Sequence, residues 1–213
     1  STVNVPPIVY QGTNAAYINR ETMNIGDISE DFLATPLVNI PTNGQLRFFT
    51  RSFASGNQGT VYQIRVAPAS ASQTNPTAYT VIQEWTEADL TTTFNIYEEK
   101  VVNFPAVYHN QQLYVSFVKV HNQQVAGLAG SGDRWLVDNV SINEQCLNPT
   151  NLVATVTSES TASLNWANPS GATSWEIEVV GAAGTPTGVG VIYNGTLPYI
   201  ISGLLPNTAY KFY

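Results

Sequence analysis

Charged side chains are scarce in this 213-residue sequence. They make up 11% of it, with 15 acidic and 8 basic residues and a formal net charge of -7. Only three of the basic residues are lysines, at positions 100, 119 and 211. A surface that binds nucleic acid needs a stripe of lysine and arginine to neutralise phosphates, so the composition argues against a nucleic-acid partner.

Long apolar runs and helical periodicity are also missing. No window approaches the ~18 to 20 apolar residues that cross a bilayer, which argues against membrane insertion. The first residues have neither the basic nor the apolar region of an export signal, so we expect any signal to have been removed or to lie upstream. One short helical turn is expected after Thr86, a residue suited to cap it.

Residues that favour strands and turns are abundant in the sequence. Hydrophobic residues are 43% of the chain, and it contains 23 threonines, 20 asparagines, 15 glycines and 12 prolines. Threonine, valine and aromatic residues favour strands, and glycine and proline favour the turns between them. The composition therefore predicts an all-β protein.

Alternating patterns locate several of the strands. Residues 45–51 predict a strand with Arg47 and Arg51 in solvent, and residues 61–66 predict one with Gln63 and Arg65 in solvent. Residues 112–120 are apolar on both faces, which predicts a strand covered on both sides at the centre of a sandwich. In residues 135–142, Leu136, Asn139 and Ile142 break the strict alternation.

A polar, proline-containing stretch at residues 143–149 separates two β-patterns. Such a stretch suits a short, stiff linker. We therefore predict two domains, residues 1–144 and residues 145–213.

The second domain resembles a fibronectin type III domain. The resemblance rests on the sequences PTNL at 149–152, SLNW at 163–166 and LLPNTAY at 204–210. It implies an immunoglobulin-like sandwich with Trp166 in the core and Tyr210 hydrogen-bonded to upstream backbone. The alternative is another small sandwich. The match stops before the last strand of that fold, so we expect the domain to be incomplete and the chain to be part of a longer protein.

Cys146 is the only cysteine. An odd cysteine suggests a partner outside the visible chain. In bacterial surface modules that begin with a similar Cys-x-x-Pro sequence, a second cysteine follows the last strand, and the resemblance implies a disulfide there. The alternative is a buried free thiol.

The first domain resembles the choice-of-anchor J, or cleaved-adhesin, module. The sequence EDFLATP at 30–36 and the sequence GDRWLVDNV at 132–140 carry the resemblance, with Phe32 where tryptophan is common. It implies a jelly-roll β-sandwich related to MAM and carbohydrate-binding modules. Such modules occur in surface proteins of Gram-negative bacteria that are exported by the type IX secretion system.

Catalytic patterns are weak, and we predict that the chain is not an enzyme. The two histidines, His109 and His121, lack the spacing of a metalloprotease motif, and one cysteine cannot form a cysteine-rich zinc site. The acidic pairs at 98–99 and 176/178 have the pattern of solvated strand faces, not of a glycosidase pair.

Calcium is the most favoured cofactor, because the resemblance implies a structural Ca²⁺ held by oxygen ligands. Asp138 lies in a strand where an apolar side chain would otherwise pack, so an inward carboxylate there needs a cation or hydrogen bonds. Asp31, Asp133 and Asn139 are secondary candidates. The alternative is that Asp138 accepts backbone N–H bonds.

Aromatic side chains provide the candidate ligand-binding residues. Trp85, Tyr97 and Tyr108 are suited to stack on sugar rings, as are Tyr62 and Tyr79 if exposed, and nearby amides such as those at 110–112 are suited to bond hydroxyls. The alternative is that most of these rings belong to the core.

These observations predict a jelly-roll sandwich followed by an incomplete immunoglobulin-like sandwich. The function that we expect is that of an extracellular, non-enzymatic adhesion segment of a larger secreted or cell-surface protein. Its partners would be a glycan or protein ligand and the type IX export machinery. Two alternatives stay open: an accessory carbohydrate-binding region of a secreted hydrolase, and a structural spacer in a surface filament.

Overall fold

The computed structural model describes residues 8–93, 95–127, 131–145 and 147–213. The chain divides into two compact units, Ser1–Glu144 and Gln145–Tyr213. The predicted disulfide of Cys146 lies outside the described residues. No helix among the described residues is long and apolar enough to span a membrane.

The described residues of the first unit form nine strands, one short helix and two 3-10 turns. The turns are Pro76–Ala78 and Ala106–Tyr108, and the helix is α1, Glu87–Leu90. The strands are β1 (Ala16–Ile18), β2 (Ile28–Ala34), β3 (Val38–Asn39), β4 (Gly44–Ser52), β5 (Thr60–Pro68), β6 (Thr80–Thr86), β7 (Glu98–Asn103), β8 (Gln112–Asn122) and β9 (Trp135–Glu144).

These strands form two antiparallel sheets. The front sheet has the order β1-β9-β4-β7, and the back sheet has the order β2-β8-β5-β6, with β3 also paired to β8. Strand β8 pairs with β2 and β3 on one side and with β5 on the other. Side chains are buried on both faces of β8, Val115 and Phe117 on one face and Val118 on the other, which agrees with the pattern at 112–120.

The hydrophobic core lies between the two sheets. The front sheet contributes Phe48 and Trp135, and the back sheet contributes Ile64 and Phe117, all of them buried. The rings of Phe48 and Phe117 meet edge to face, with centroids 5.0 Å apart. Each such side chain contributes about 1.5 to 3 kcal/mol by leaving water. The unit is therefore a β-sandwich, as the sequence predicts.

A β-bulge interrupts the pairing of β9 with β4. Arg47 pairs with Ser141 but Phe49 pairs with Asp138, so two residues of β9 lie opposite Phe48. One of them, Asn139, has a φ of 49°, in the left-handed region that asparagine tolerates better than most residues. The broken alternation in the sequence around Asn139 is the trace of this bulge.

Three side chains predicted to lie in solvent are buried instead. Arg51 is 1% exposed, and Gln63 and Arg65 are each 8% exposed. Arg65 donates to both carboxylate oxygens of Glu30, which covers it. The alternation correctly predicts that these three side chains lie on the faces directed away from the core. It does not predict that they are buried there, because the groups that bury them come from other parts of the chain.

The turn after Thr86 forms as predicted, but without the predicted cap. Thr86 makes no side-chain hydrogen bond to the backbone of α1. Its Oγ1 lies 2.6 Å from Oδ2 of Asp89, to which it donates.

Seven strands occur in the part of the second unit that the structure describes. They are β10 (Thr150–Ser158), β11 (Thr161–Ala167), β12 (Trp175–Ile177), β13 (Val179–Gly181), β14 (Val191–Tyr193), β15 (Tyr199–Ser202) and β16 (Tyr210–Phe212). The pairing orders are β10-β11-β15, β12-β14 and β13-β16, and every pair is antiparallel.

A small core holds the second unit together. Leu164, Trp166 and Ile177 are buried in it. The Tyr210 hydroxyl accepts a hydrogen bond of 3.0 Å from the N–H of Leu205, which is the upstream contact expected of it. The assignment of this unit to the fibronectin type III fold stays a prediction.

Candidate functional site

The outer face of the front sheet brings together three of the predicted site residues. Asp138 and Asn139 lie in β9 and Tyr97 lies just before β7. We call this surface the front face and define it by Tyr10, Phe49, Arg51, Tyr97 and Asp138. It faces away from the core, because Phe48 and Val137, the sequence neighbours of Phe49 and Asp138, point into the core.

A stack of aromatic rings covers the centre of the front face. The Tyr10 and Phe49 rings are nearly parallel, with centroids 3.9 Å apart and an interplanar angle of 11°. The Tyr97 ring lies 5.5 Å from that of Tyr10 at 50°. Tyr10 is 44% exposed although it takes part in both ring contacts.

Tyr97 is fixed in place by hydrogen bonding. Its hydroxyl donates to the backbone carbonyl of Ile8. Burial raises the pKa of the Tyr97 phenol above its ordinary value, and the neighbouring Arg51 opposes that rise. The phenol is therefore a neutral donor at physiological pH.

Asp138 is held by main-chain donors. Its Oδ2 accepts N–H bonds from Tyr10 at 2.8 Å and Gln11 at 3.2 Å, and its Oδ1 accepts one from Asn139 at 2.7 Å. The expectation that this carboxylate points inward is wrong, because it lies on the outer face of β9. It is nevertheless only 8% exposed, since the N-terminal segment crosses over it.

Arg51 is the buried cation of the front face. Its Nη1 donates to the side-chain oxygen of Asn95, and its guanidinium carbon lies 5.4 Å from the centre of the Phe53 ring and 5.6 Å from that of Tyr97. Its Nε and Nη2 make no hydrogen bond within the part of the chain that the structure describes. Ring contacts of this kind contribute about 0.5 to 2 kcal/mol each.

A ladder of polar pairs continues the face beyond the rings. Arg47 binds both carboxylate oxygens of Glu99, through Nε at 2.9 Å and Nη2 at 2.8 Å. The hydrogen bond with Glu99 raises the pKa of the Arg47 guanidinium. Gln45 donates to the amide oxygen of Asn103 at 2.8 Å. The ladder supplies amide and charged groups beside the aromatic stack.

Asp133 lies apart from the front face, inside the first unit. It is fully buried and accepts N–H bonds from Phe53 at 2.9 Å and Ala54 at 2.6 Å. The Tyr62 hydroxyl donates to it at 3.1 Å. Burial, followed by the charges of Asp133 and Glu87, raises the pKa of Tyr62 far above its ordinary value. Tyr62 is thus a core residue and not an exposed ligand-binding ring.

Asp31 lies in the back sheet, where its Oδ2 is 2.8 Å from Nζ of Lys119. The four predicted calcium ligands therefore occupy three separate places. No group of three or more histidine, cysteine, aspartate or glutamate side chains suited to a metal occurs among the described residues. Each of the three aspartates contacts protein donors. Ca²⁺ binding stays a prediction.

Trp85 and Tyr108 are not part of the front face. Both are partly buried and pack against the core of the first unit. The Trp85 ring meets that of Phe48 edge to face at 6.0 Å. Tyr79 is also buried, at the edge of the back sheet against Phe32. Of the aromatic residues predicted to bind ligand, the structure places only Tyr97 beside other open rings.

Sequence reasoning did not identify Tyr10, Phe49 or the buried state of Arg51. The alternation of residues 45–51 already puts Phe49 and Arg51 on one face, so an exposed phenylalanine next to arginine was an available signal. Tyr10 precedes β1 and has no periodic neighbours, so no sequence pattern connects it to β4 or β9.

Comparison with known proteins gives only distant similarities. No protein-family model matches the sequence, and no curated protein matches it. Among solved structures, the chain is similar to the K3 and K1 cleaved adhesin domains of Lys-gingipain from Porphyromonas gingivalis W83, at 20% and 18% identity. These matches cover 62% of this chain and 71% and 74% of the adhesin domains, with TM-scores of 0.40 and 0.41. At such values the similarity establishes neither family membership nor function.

Proposed function

We propose that the first unit is a non-enzymatic binding module and that the front face is its ligand-binding surface. The observation that carries the proposal is the stack of Tyr10 on Phe49, in which Tyr10 stays 44% exposed. The chain as a whole would be an adhesion or binding segment of a larger secreted or cell-surface protein.

A glycan is the ligand class that this surface suits best. An exposed ring whose other side is stacked is already ordered, so a sugar that packs on it loses little of the binding free energy to ordering of the protein. The amide and charged groups of the ladder lie on the same face and are suited to bond hydroxyls. A protein ligand with an aromatic or aliphatic anchor is the second possibility.

The environment of the histidines supports a non-catalytic role. His109 uses both ring nitrogens for structure: Nδ1 accepts an N–H bond from Asn43 at 3.3 Å, and Nε2 lies 2.9 Å from the backbone oxygen of Phe104. His121 is buried, with Nδ1 3.4 Å from the backbone oxygen of Gly59. These imidazoles have no metalloprotease spacing in the sequence, and in the described residues their ring nitrogens lie beside backbone groups.

Export and location rest on the sequence alone. The motifs at 30–36 and 132–140 support a place outside a Gram-negative cell, reached through the type IX machinery. Antibody labelling of the full-length protein on intact cells tests this location. Labelling only after the cells are permeabilised would contradict it.

Glycan-array binding of the wild-type chain and of Tyr10→Ala tests the binding function. We expect selective binding by the wild type and a loss of about tenfold or more in the variant, equivalent to about 1.4 kcal/mol. Tyr213→Ala, which changes an exposed tyrosine of the second unit, is the matched control and should bind normally. Absence of sugar-selective binding, or normal binding by Tyr10→Ala, would refute the proposal and favour a structural spacer.

A further inference from the structure

Lys119 is the buried lysine of the back sheet. It belongs to the core face of β8, because Val115 and Phe117 of that face lie in the hydrophobic core and the alternation continues to position 119. Its side chain is 0% exposed, and its Nζ lies 2.8 Å from Oδ2 of Asp31.

Nζ of Lys119 and Oδ2 of Asp31 contact each other and no second polar partner in the described part of the chain. Both Nζ of Lys119 and Oδ2 of Asp31 are shielded from solvent, and neither makes a hydrogen bond to any other group among the described residues. A buried ammonium group with one contact leaves N–H donors unsatisfied, which is costly. The neighbouring Arg65–Glu30 pair has no such deficit, because Arg65 makes three side-chain hydrogen bonds.

Strand register brings the two residues together without distortion. Asp31 and Lys119 are directly opposite each other on β2 and β8, in a stretch of seven consecutive antiparallel pairs. Side chains in that position have Cβ atoms about 4.5 to 5.5 Å apart, so the long lysine side chain reaches the carboxyl group with backbone atoms in place.

We propose that Lys119 and Asp31 form an intramolecular amide bond. The ammonium group transfers one proton to the Asp31 carboxylate, which gives a free amine and a carboxylic acid. The amine lone pair attacks Cγ and forms the C–N bond. A second proton then moves from nitrogen to the departing hydroxyl, the Cγ–O bond breaks, and one water leaves. The two residues supply every atom, so no oxidant, reductant or co-reactant is needed.

The surroundings favour the amide over the ion pair. Condensation replaces the buried Lys119 ammonium group and the Asp31 carboxylate, whose side chain is 33% exposed, with a neutral group. It therefore removes the cost of keeping the ammonium group away from water. Exclusion of water from Nζ also protects the product from hydrolysis.

The cross-link would fasten an edge strand to the middle of its sheet. In the described part of the chain β2 has one strand partner, β8. A covalent bond between them keeps the edge paired when the chain is pulled or heated. This inference is independent of ligand binding at the front face, which lies on the other sheet.

The intact mass of the denatured full chain tests the proposal directly. We expect a value about 18 Da below the mass calculated from the sequence, the mass of one water, and a digest containing peptides joined through Lys119 and Asp31. Lys119→Met should restore the calculated mass. Asp31→Asn should show a deficit of about 17 Da instead, because an asparagine side chain releases ammonia.

Lys100→Met is the control, because Lys100 lies 3.8 Å from Glu98 in an ion pair that is not fully buried. It should keep the deficit of about 18 Da. The mass of the wild-type chain tests the proposal even if a variant fails to fold. A wild-type mass equal to the calculated one, or a deficit that persists in Lys119→Met, would overturn the proposal.

Discussion

Two carboxylates of the first unit have side chains surrounded by hydrogen-bond donors, most of them from the main chain. Asp133 accepts two N–H bonds and one hydroxyl bond, and Asp138 accepts three N–H bonds. Each of them joins segments far apart in sequence, and Asp138 ties Tyr10 and Gln11 to β9. At the scale of the residue, these carboxylates fix the position of the chain segments whose N–H groups bind them.

Replacing Asp138 with alanine should destabilise the first unit by about 2 kcal/mol, because backbone N–H groups lose a buried charged acceptor. Urea unfolding followed by tryptophan fluorescence measures this. Glu21→Ala, at an exposed acidic position, should leave the free energy of unfolding almost unchanged. We expect the same loss for Asp138→Ala in 1 mM Ca²⁺ and in chelator. A loss that appears only with Ca²⁺ present would support calcium binding at Asp138.

Sequence reasoning identified Asp138 as unusual but left two explanations open. The sequence predicts that the Asp138 carboxylate needs a partner, and either a cation or backbone N–H groups can fill that role. The choice between them depends on Tyr10 and Gln11, which are 128 and 127 residues away in the chain. Arg51 was misjudged for the same reason, since its cover comes from Asn95 and Tyr97.

At the scale of the element, the bulge in β9 organises the front face. It places two residues opposite Phe48 and gives Asn139 a positive φ. The strand positions and the central place of β8 followed from alternation, because one-sided and two-sided burial leave different periodicities. The bulge left only a break in the pattern, and a break alone does not reveal which residue takes the left-handed conformation.

Substitutions at Asn139 should therefore follow backbone preference. Both Asn139→Gly and Asn139→Ala lose the side-chain bond to Gln11, so their difference isolates the φ of 49°. We expect the alanine variant to be less stable than the glycine variant by about 1 kcal/mol, as a left-handed residue costs roughly 1 to 2 kcal/mol when it has a Cβ. Paired urea titrations measure the difference. Equal stability of the two variants would contradict the assignment of strain to this residue.

At the scale of the whole molecule, the two units have separate cores. The core of the first unit contains residues between Ala16 and Ile142, and the core of the second contains residues between Leu164 and Phe212. The change in composition at 143–149 anticipated a division of the chain there, because a polar linker interrupts both alternation and burial. Which families the two units belong to is a finer question that the burial pattern does not answer.

A chain ending at Glu144 should fold without the second unit. Its amide ¹H–¹⁵N spectrum should overlay that of the same residues in the full chain, except near the new terminus. A chain ending at residue 134 is the control and should give an unfolded spectrum, because it loses β9 and with it Trp135 and Val137 of the core. Collapse of the spectrum in the longer fragment would show that the second unit is needed for folding.

The extra residue in β9 also determines where an alignment with a distant homologue can place a one-residue gap. Val137 and Ile142 both contact the core although they are an odd number of positions apart, which is possible only because the bulge shifts the phase of the strand. Deleting one residue at 139 or 140 would remove the bulge and leave Val137 and Ile142 an even number of positions apart, so regular alternation would keep both on the core face. A homologue with a one-residue gap there should therefore have a regular strand and keep the same order of apolar and polar side chains in the positions that follow.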